Sequence, residues 1–112
     1  MATIEQCITA LQGVLSGIAA APAAQGLDRS LSCRLPDLGQ VLRGRLVSGA
    51  VRDLRAEQDD PATPKADIRL TMTSDDLVAL TQGELSFAKA WSSGRIRFEA
   101  GLRDILRLRS LL

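Results

Sequence analysis

The sequence has 112 residues, a length that fits one domain and is sufficient to bury a hydrophobic core without disulfides or a structural metal. Hydrophobic residues make up 46% of the chain, but it has two Phe, one Trp and no Tyr, which predicts an aliphatic core. A net charge of +1 does not favour nucleic acid, and a chain with no His and two Cys lacks the ligands of a four-coordinate zinc site. We therefore expect no metal, no cofactor and no nucleic-acid partner.

Residues 1–21 predict an amphipathic N-terminal helix. Thr3 and Gln6 have the spacing of a capping box, in which each side chain bonds a free backbone N–H at the helix start. Apolar residues then recur every three or four positions and form one hydrophobic stripe: Ile4, Ile8, Leu11, Leu15 and Ile18. Cys7 falls in this helix and Cys33 in a later strand, and we interpret both as reduced thiols that act as small apolar residues.

The periodicity changes to two from Leu27 onward, which predicts strands. The first strand ends at Pro36, where turn residues follow. Residues 40–47 and 50–57 are two further candidate strands, and Ser48-Gly49 is a link of hairpin length between them. Arginines interrupt the apolar alternation of both, so we expect these two strands to lie at the periphery of the sheet.

The stretch from Ala66 to Phe98 has the clearest pattern in the chain. It begins as a strand at 68–72, continues as two short helices separated by Gly83, and resumes strand alternation at 95–99. Hairpin-length links early in the chain and helices gathered later favour an α+β fold with helices on one face of a sheet. We therefore expect a single domain over residues 1–112.

Asp75 and Asp76 follow Thr73 and Ser74, either of which can cap the first of these helices. Acidic side chains in a first turn interact favourably with the positive end of the helix dipole. Neighbouring side chains on a helix point about 100° apart, so we interpret the two carboxylates as first-turn acids rather than a catalytic pair. Because Ser92-Ser93 also lacks a histidine partner, we predict no catalytic residues and a binding protein rather than an enzyme.

Residues 101–112 predict a C-terminal helix with one apolar and one basic side. It can dock on the sheet, act as a movable lid over an apolar chamber, or meet anionic lipid through its basic side. The sequence has no evident secretory signal and no run of about 20 apolar residues, so we expect a cytoplasmic protein with at most peripheral membrane contact. Twelve arginines against two lysines hint at a GC-rich, bacterial genome.

A set of residues that spans about a third of the chain forms a recognisable combination: Ala66-Asp67-Ile68, Met72, Ser74-Asp75-Asp76-Leu77, Leu80, Gly83-Glu84-Leu85, Ala90-Trp91 and Gly94-Arg95-Ile96-Arg97-Phe98. In this order the residues closely resemble the sterol carrier protein type-2 family of lipid-binding domains. The resemblance implies a five-stranded, largely antiparallel sheet covered by helices that enclose a hydrophobic tunnel. It also implies an intracellular carrier for a sterol, a fatty acid or a fatty acyl-CoA.

The residues at the positions of the family's tunnel elements form the predicted lipid site: Leu77, Leu80, Phe87, Trp91, Ile96, Phe98, Leu102, Ile105 and Leu106. Two alternatives stay open. The fold can be a filled scaffold that self-associates, for example as a homodimer, or it can be an accessory domain of a larger enzyme. Ala100-Gly101 and the early strands depart from the family pattern, which leaves the size of the cavity undetermined.

Overall fold

The structure is a computed structural model that describes residues 2–19, 26, 28–101 and 106. In chain order the elements are α1 (Ile4–Ala19), β1 (Asp28–Leu35), β2 (Gln40–Val47), β3 (Ala50–Gln58), β4 (Ile68–Thr71), α2 (Ser74–Thr81), α3 (Phe87–Ser92) and β5 (Arg97–Ala100). The strands form one sheet in the order β3-β2-β1-β4-β5, in which β1 and β4 are parallel and the other neighbours are antiparallel. The predicted α+β class with a five-stranded, largely antiparallel sheet is confirmed, whereas the enclosed tunnel stays a prediction.

Helix α1 begins with the predicted capping box. The Thr3 N–H donates to Gln6 Oε1 at 2.9 Å, and the Gln6 N–H donates to Thr3 Oγ1 at 3.2 Å. Leu11 and Leu15 of the predicted stripe are buried, and Ile4 and Ile8 pack partly buried against the core. The side chain of Ile18 is outside the described residues.

One face of the sheet carries the core, and α1 and α2 pack on it. Strand register places alternate apolar residues of neighbouring strands side by side, as in the row formed by Cys33, Leu42 and Leu70. The largest fully buried side chains come from both helices, the sheet and the loop before β5: Leu11, Leu31, Leu35, Leu42, Ile68, Leu77 and Ile96. Every buried hydrophobic residue in the described part of the chain is aliphatic or sulfur-containing. The predicted aliphatic core is therefore confirmed for these residues.

Strands β2 and β3 form the predicted hairpin. Ser48 and Gly49 both have positive φ, 47° and 82°, which matches the backbone of the two-residue turns that suit a twisted hairpin. The predicted peripheral position is correct for β3, which is an edge strand, but wrong for β2, which lies between β3 and β1. The reason is that Arg43 and Arg45 occupy the polar face of β2, while its opposite face points into the core.

A buried hydroxyl connects the N-terminus, the β1–β2 turn and α2. Ser74 donates through its Oγ to Asp37 Oδ2 at 2.5 Å and through its N–H to Asp37 Oδ1 at 3.0 Å. The Ala2 N–H donates to Ser74 Oγ at 3.1 Å. Desolvation raises the pKa of Asp37, but the two hydrogen bonds from Ser74 outweigh this effect and hold that pKa below its usual range.

The predicted C-terminal helix lies outside the described residues, apart from Leu106. Leu106 is helical and its side chain is 59% exposed. Within the described helices, none combines the length and the apolar character that a membrane crossing requires.

Candidate ligand-binding site

Helix α3 is short and is fixed at both ends by its own sequence. Ser86 caps its start by accepting a hydrogen bond from the Lys89 N–H, and Gly94 ends it with a φ of 81°. The Ala90 carbonyl then accepts hydrogen bonds from the N–H groups of Arg95 and Ile96, which turns the chain toward β5. Ala90 and Ile96 are buried, so they anchor this unit to the core.

Phe87, Trp91 and Phe98 form an aromatic cluster at the β5 edge of the sheet. Phe87 and Trp91 are four residues apart and share one side of α3. The Trp91 and Phe98 ring centroids are 5.3 Å apart, and those of Phe87 lie 6.2 Å from Trp91 and 6.3 Å from Phe98, all within the range of attractive tilted and edge contacts. All three side chains are only partly buried. The chain has no other aromatic residue, so its entire aromatic surface is concentrated at this corner.

A half-buried ion pair holds the loop after α3 against the start of α2. The Arg95 guanidinium contacts Asp76 Oδ1 through Nη2 at 2.7 Å and through Nε at 2.9 Å. The Asp76 side chain is 8% exposed and that of Arg95 is 57% exposed. The hydrogen bond to Asp76, together with its charge, raises the pKa of Arg95. The pair thereby fixes the position of α3 and β5, which carry the aromatic cluster.

The predicted site residues divide into three groups. Leu77 and Ile96 are fully buried core residues, 0% and 1% exposed. Leu80, Phe87 and Phe98 are partly buried and pack against the core, and Trp91 joins them through its aromatic contacts. Leu102 and Ile105 lie outside the described residues, and Leu106 is exposed. The structure therefore brings Phe87, Trp91 and Phe98 together, while the ligand contacts of the whole set stay a prediction.

The two cysteines are buried and free, as expected. Burial raises the pKa of the Cys33 thiol to about 12, with a further contribution from Cys7. Burial also raises the pKa of Cys7, which Asp37 and Asp75 reinforce. Both groups therefore stay protonated near neutral pH and are poor nucleophiles. The described residues contain no group of three or more acidic, His or Cys side chains arranged to hold a metal ion.

The sequence analysis missed two polar contacts that shape this region. It interpreted Asp76 only as a first-turn acid and named Thr73 or Ser74 as the cap. Thr73 is the cap, and its side chain accepts a hydrogen bond from the Asp76 N–H at 3.2 Å. Asp76 instead pairs with Arg95, and Ser74 with Asp37. These partners are 19 and 37 residues away, so no local sequence pattern indicates either contact.

The mixed five-stranded sheet with its helical cover defines a sterol-carrier-like fold, and the predicted resemblance is confirmed. Sterol carrier protein 2 like 2 from Aedes aegypti is 15% identical with a TM-score of 0.59, over 98% of this chain and 100% of that protein. Sterol carrier protein 2 from Aedes aegypti, solved with palmitate, is 17% identical with a TM-score of 0.56, over 99% and 96% of the two chains. At these identities the likeness establishes the fold.

Residues 17–112 match the family described as Alkyl sulfatase C-terminal, and the chain belongs to that family. The stereoselective inverting sec-alkylsulfatase from Pseudomonas sp. is 23% identical with a TM-score of 0.60 over 89% of this chain. The chain spans 15% of the length of that enzyme. No curated protein has a significant sequence match to the chain.

Proposed function

We propose that this chain binds the alkyl part of a lipid, such as a fatty acid, a sterol or a fatty acyl-CoA, at the aromatic cluster. The observation that carries the proposal is that all three aromatic side chains contact one another at the margin of the core and are partly open to solvent. Large aromatic side chains normally contribute most of their area to a core. Here the fully buried hydrophobic residues are aliphatic or sulfur-containing, and the three rings are only partly buried, which leaves part of their surface available to a ligand.

The physical basis of binding is burial of methylene groups against these rings. Each buried methylene contributes about 0.8 kcal/mol, so a long alkyl chain gains affinity without specific polar contacts. Flat rings on a short helix and an edge strand suit such a ligand because they offer contact area and few hydrogen-bonding groups. We therefore expect broad selectivity among alkyl chains. The likeness in fold to the palmitate-bound sterol carrier protein supports this ligand class.

Native mass spectrometry of the purified protein tests the proposal. We expect a bound lipid, or binding of added palmitate, in the wild-type chain. Phe98→Ala removes one ring of the cluster and should weaken palmitate binding, whereas Leu38→Ala removes a partly buried apolar side chain at the β1–β2 turn and should not. Absence of palmitate binding in a folded wild-type chain would contradict the proposal.

A second proposal, favoured by the family match, is that the chain serves as the accessory unit of an alkylsulfatase and holds the alkyl group of a sulfate ester. Decyl sulfate below its micelle concentration should then compete with palmitate for the aromatic cluster. A sulfate-release assay on the isolated chain should give no turnover, because hydrolysis would belong to the rest of the enzyme. Palmitate binding without such competition would support the carrier and not the accessory unit.

A cytoplasmic location and self-association as a homodimer stay predictions. Size-exclusion chromatography with light scattering tests the second directly. A monomer that binds palmitate would remove the self-associating scaffold from the alternatives.

A further inference from the structure

The sheet face opposite the core carries a concentration of arginines. Side chains alternate between the two faces of a strand, and residues directly opposite each other on neighbouring strands lie on the same face of the sheet. Seven arginines, distributed over all five strands, lie on this face: Arg34, Arg43, Arg45, Arg52, Arg55, Arg69 and Arg97. Carboxylates share this face, since Glu57 pairs with Arg43 and Arg55, and Glu99 pairs with Arg69, so the balance of charge differs from place to place along the sheet.

Four of these residues form an arginine square on the β2–β3 hairpin. Arg43 lies directly opposite Arg55, and Arg45 lies directly opposite Arg52. Directly opposite side chains have Cβ atoms about 5 Å apart, and like charges in this position destabilise a sheet. Two successive pairs of this kind oppose folding of the hairpin. Local violations of the rules for stable structure are typical of functional sites.

Neighbouring carboxylates only partly neutralise the square. Glu57 contacts the Nε atoms of Arg43 and Arg55 at 3.0 and 3.4 Å, and Asp28 pairs with Arg45. The Arg52 side chain forms no ion pair or hydrogen bond with any residue in the described part of the chain. Four guanidinium groups thus face two carboxylates in direct contact. Each guanidinium also has five N–H donors, more than these contacts use.

An open groove of about 380 Å³ lies beside the square. Arg43, Arg45 and Arg55 line it from the hairpin, and Lys65 lines it from the segment before β4. Asp53 also lines the groove, so its charge balances that of Lys65. The Arg43 side chain is 18% exposed and its Nε contacts Glu57 Oε2 at 3.0 Å, so the orientation of this lining guanidinium is restrained.

We propose that this groove binds a sulfate- or phosphate-type oxyanion between Arg43, Arg45 and Arg55. Guanidinium groups are planar forks that match the oxygens of such anions and form short, charge-assisted hydrogen bonds with them. A bound dianion would also relieve the repulsion between the opposed arginines. The site is separate from the aromatic cluster, because it lies on the other face of the sheet and at the β3 end rather than the β5 end.

Titration with inorganic phosphate and with sulfate, at constant ionic strength against chloride, tests the proposal. Side-chain Nε–Hε resonances of arginine in ¹⁵N spectra should shift with saturation for the three groove arginines, and chloride should not reproduce the shift. Arg45→Gln should weaken binding about ten-fold or more, since a hydrogen bond to a charged group is lost. Vesicles of phosphatidylglycerol, compared with phosphatidylcholine, then distinguish a lipid headgroup from a free anion as the source.

Arg34→Gln is the matched control. Arg34 and Arg45 are similarly exposed, 53% and 48%, each pairs with one aspartate, and both lie on the polar face, but Arg34 is outside the groove. Arg34→Gln should leave anion binding unchanged. Equal responses to phosphate and chloride, or equal losses in the two variants, would overturn the site and show a general ionic-strength effect. Neither result bears on the aromatic cluster, whose palmitate binding is measured separately.

Discussion

The hydrophobic core and the aromatic cluster use apolar residues in opposite ways. In the core, aliphatic side chains such as Leu11 and Leu42 are fully buried between α1 and the sheet. In the cluster, Phe87, Trp91 and Phe98 contact one another but are only partly buried. The largest apolar side chains of the chain are therefore not among those that are fully buried in the core. Stability and ligand contact are therefore expected to respond to different substitutions.

The largest effect on stability should come from the core. Leu42→Ala removes a fully buried side chain in the middle of the sheet and should lower the free energy of unfolding by about 2–5 kcal/mol. Chemical denaturation monitored by circular dichroism measures the change. Palmitate binding should be unchanged under conditions where the variant is folded. A loss below about 1 kcal/mol would show that this region is loosely packed, and it would contradict the expectation that the aliphatic core supplies most of the stability.

Trp91→Ala tests the difference between core and aromatic cluster further, because it removes a larger side chain than Leu42→Ala does, but from the cluster. We expect a smaller loss of stability than for Leu42→Ala, since part of the indole is already in contact with water. The same denaturation experiment compares the two variants. A larger loss for Trp91→Ala would mean that the cluster is an extension of the core.

The sequence predicted most of the core, because the core residues follow local periodicity. Phe87, Trp91 and Phe98 entered the predicted site through the family resemblance, and their contact with a ligand stays a prediction. The stripe of α1, the alternation of β4 and the cap of α2 each lie within a short stretch of sequence. The sequence did not predict that β2 is an internal strand. Arg43 and Arg45 suggested a strand at the sheet periphery, but both lie on the polar face of β2, and its other face is buried in the core. The sequence also did not predict the hydrogen bonds between Ser74 and Asp37 or the ion pair between Asp76 and Arg95, because these contacts depend on how distant elements pack.

Ser74→Ala tests the buried polar contact at the boundary of the core. The substitution leaves the Ala2 N–H and the Asp37 carboxylate without their shared hydroxyl, and it should lower the free energy of unfolding by about 1–3 kcal/mol. Thermal denaturation at neutral pH measures the loss. A change within about 0.5 kcal/mol would indicate that water replaces the hydroxyl at no cost.

The same contact predicts a small dependence of stability on pH. The folded pKa of Asp37 is lower than its unfolded value, so the folded state binds fewer protons and stability rises with pH through that interval. This contribution is complete above about pH 4 and is lost as the pH falls through the folded pKa. Wild type should therefore lose more stability than Asp37→Asn between neutral and acid pH. Identical pH profiles would contradict the assignment.

Titration of Trp91 fluorescence with palmitate is the most direct test of lipid binding at the aromatic cluster, because Trp91 is the only Trp and the chain has no Tyr. An alkyl chain that binds beside the cluster replaces water at the indole, so we predict a saturable blue shift or increase in emission. Phe98→Ala should weaken the response, since the two rings are 5.3 Å apart. An unchanged spectrum at palmitate concentrations where native mass spectrometry detects binding would show that palmitate binds elsewhere on the protein, and it would contradict binding at the aromatic cluster.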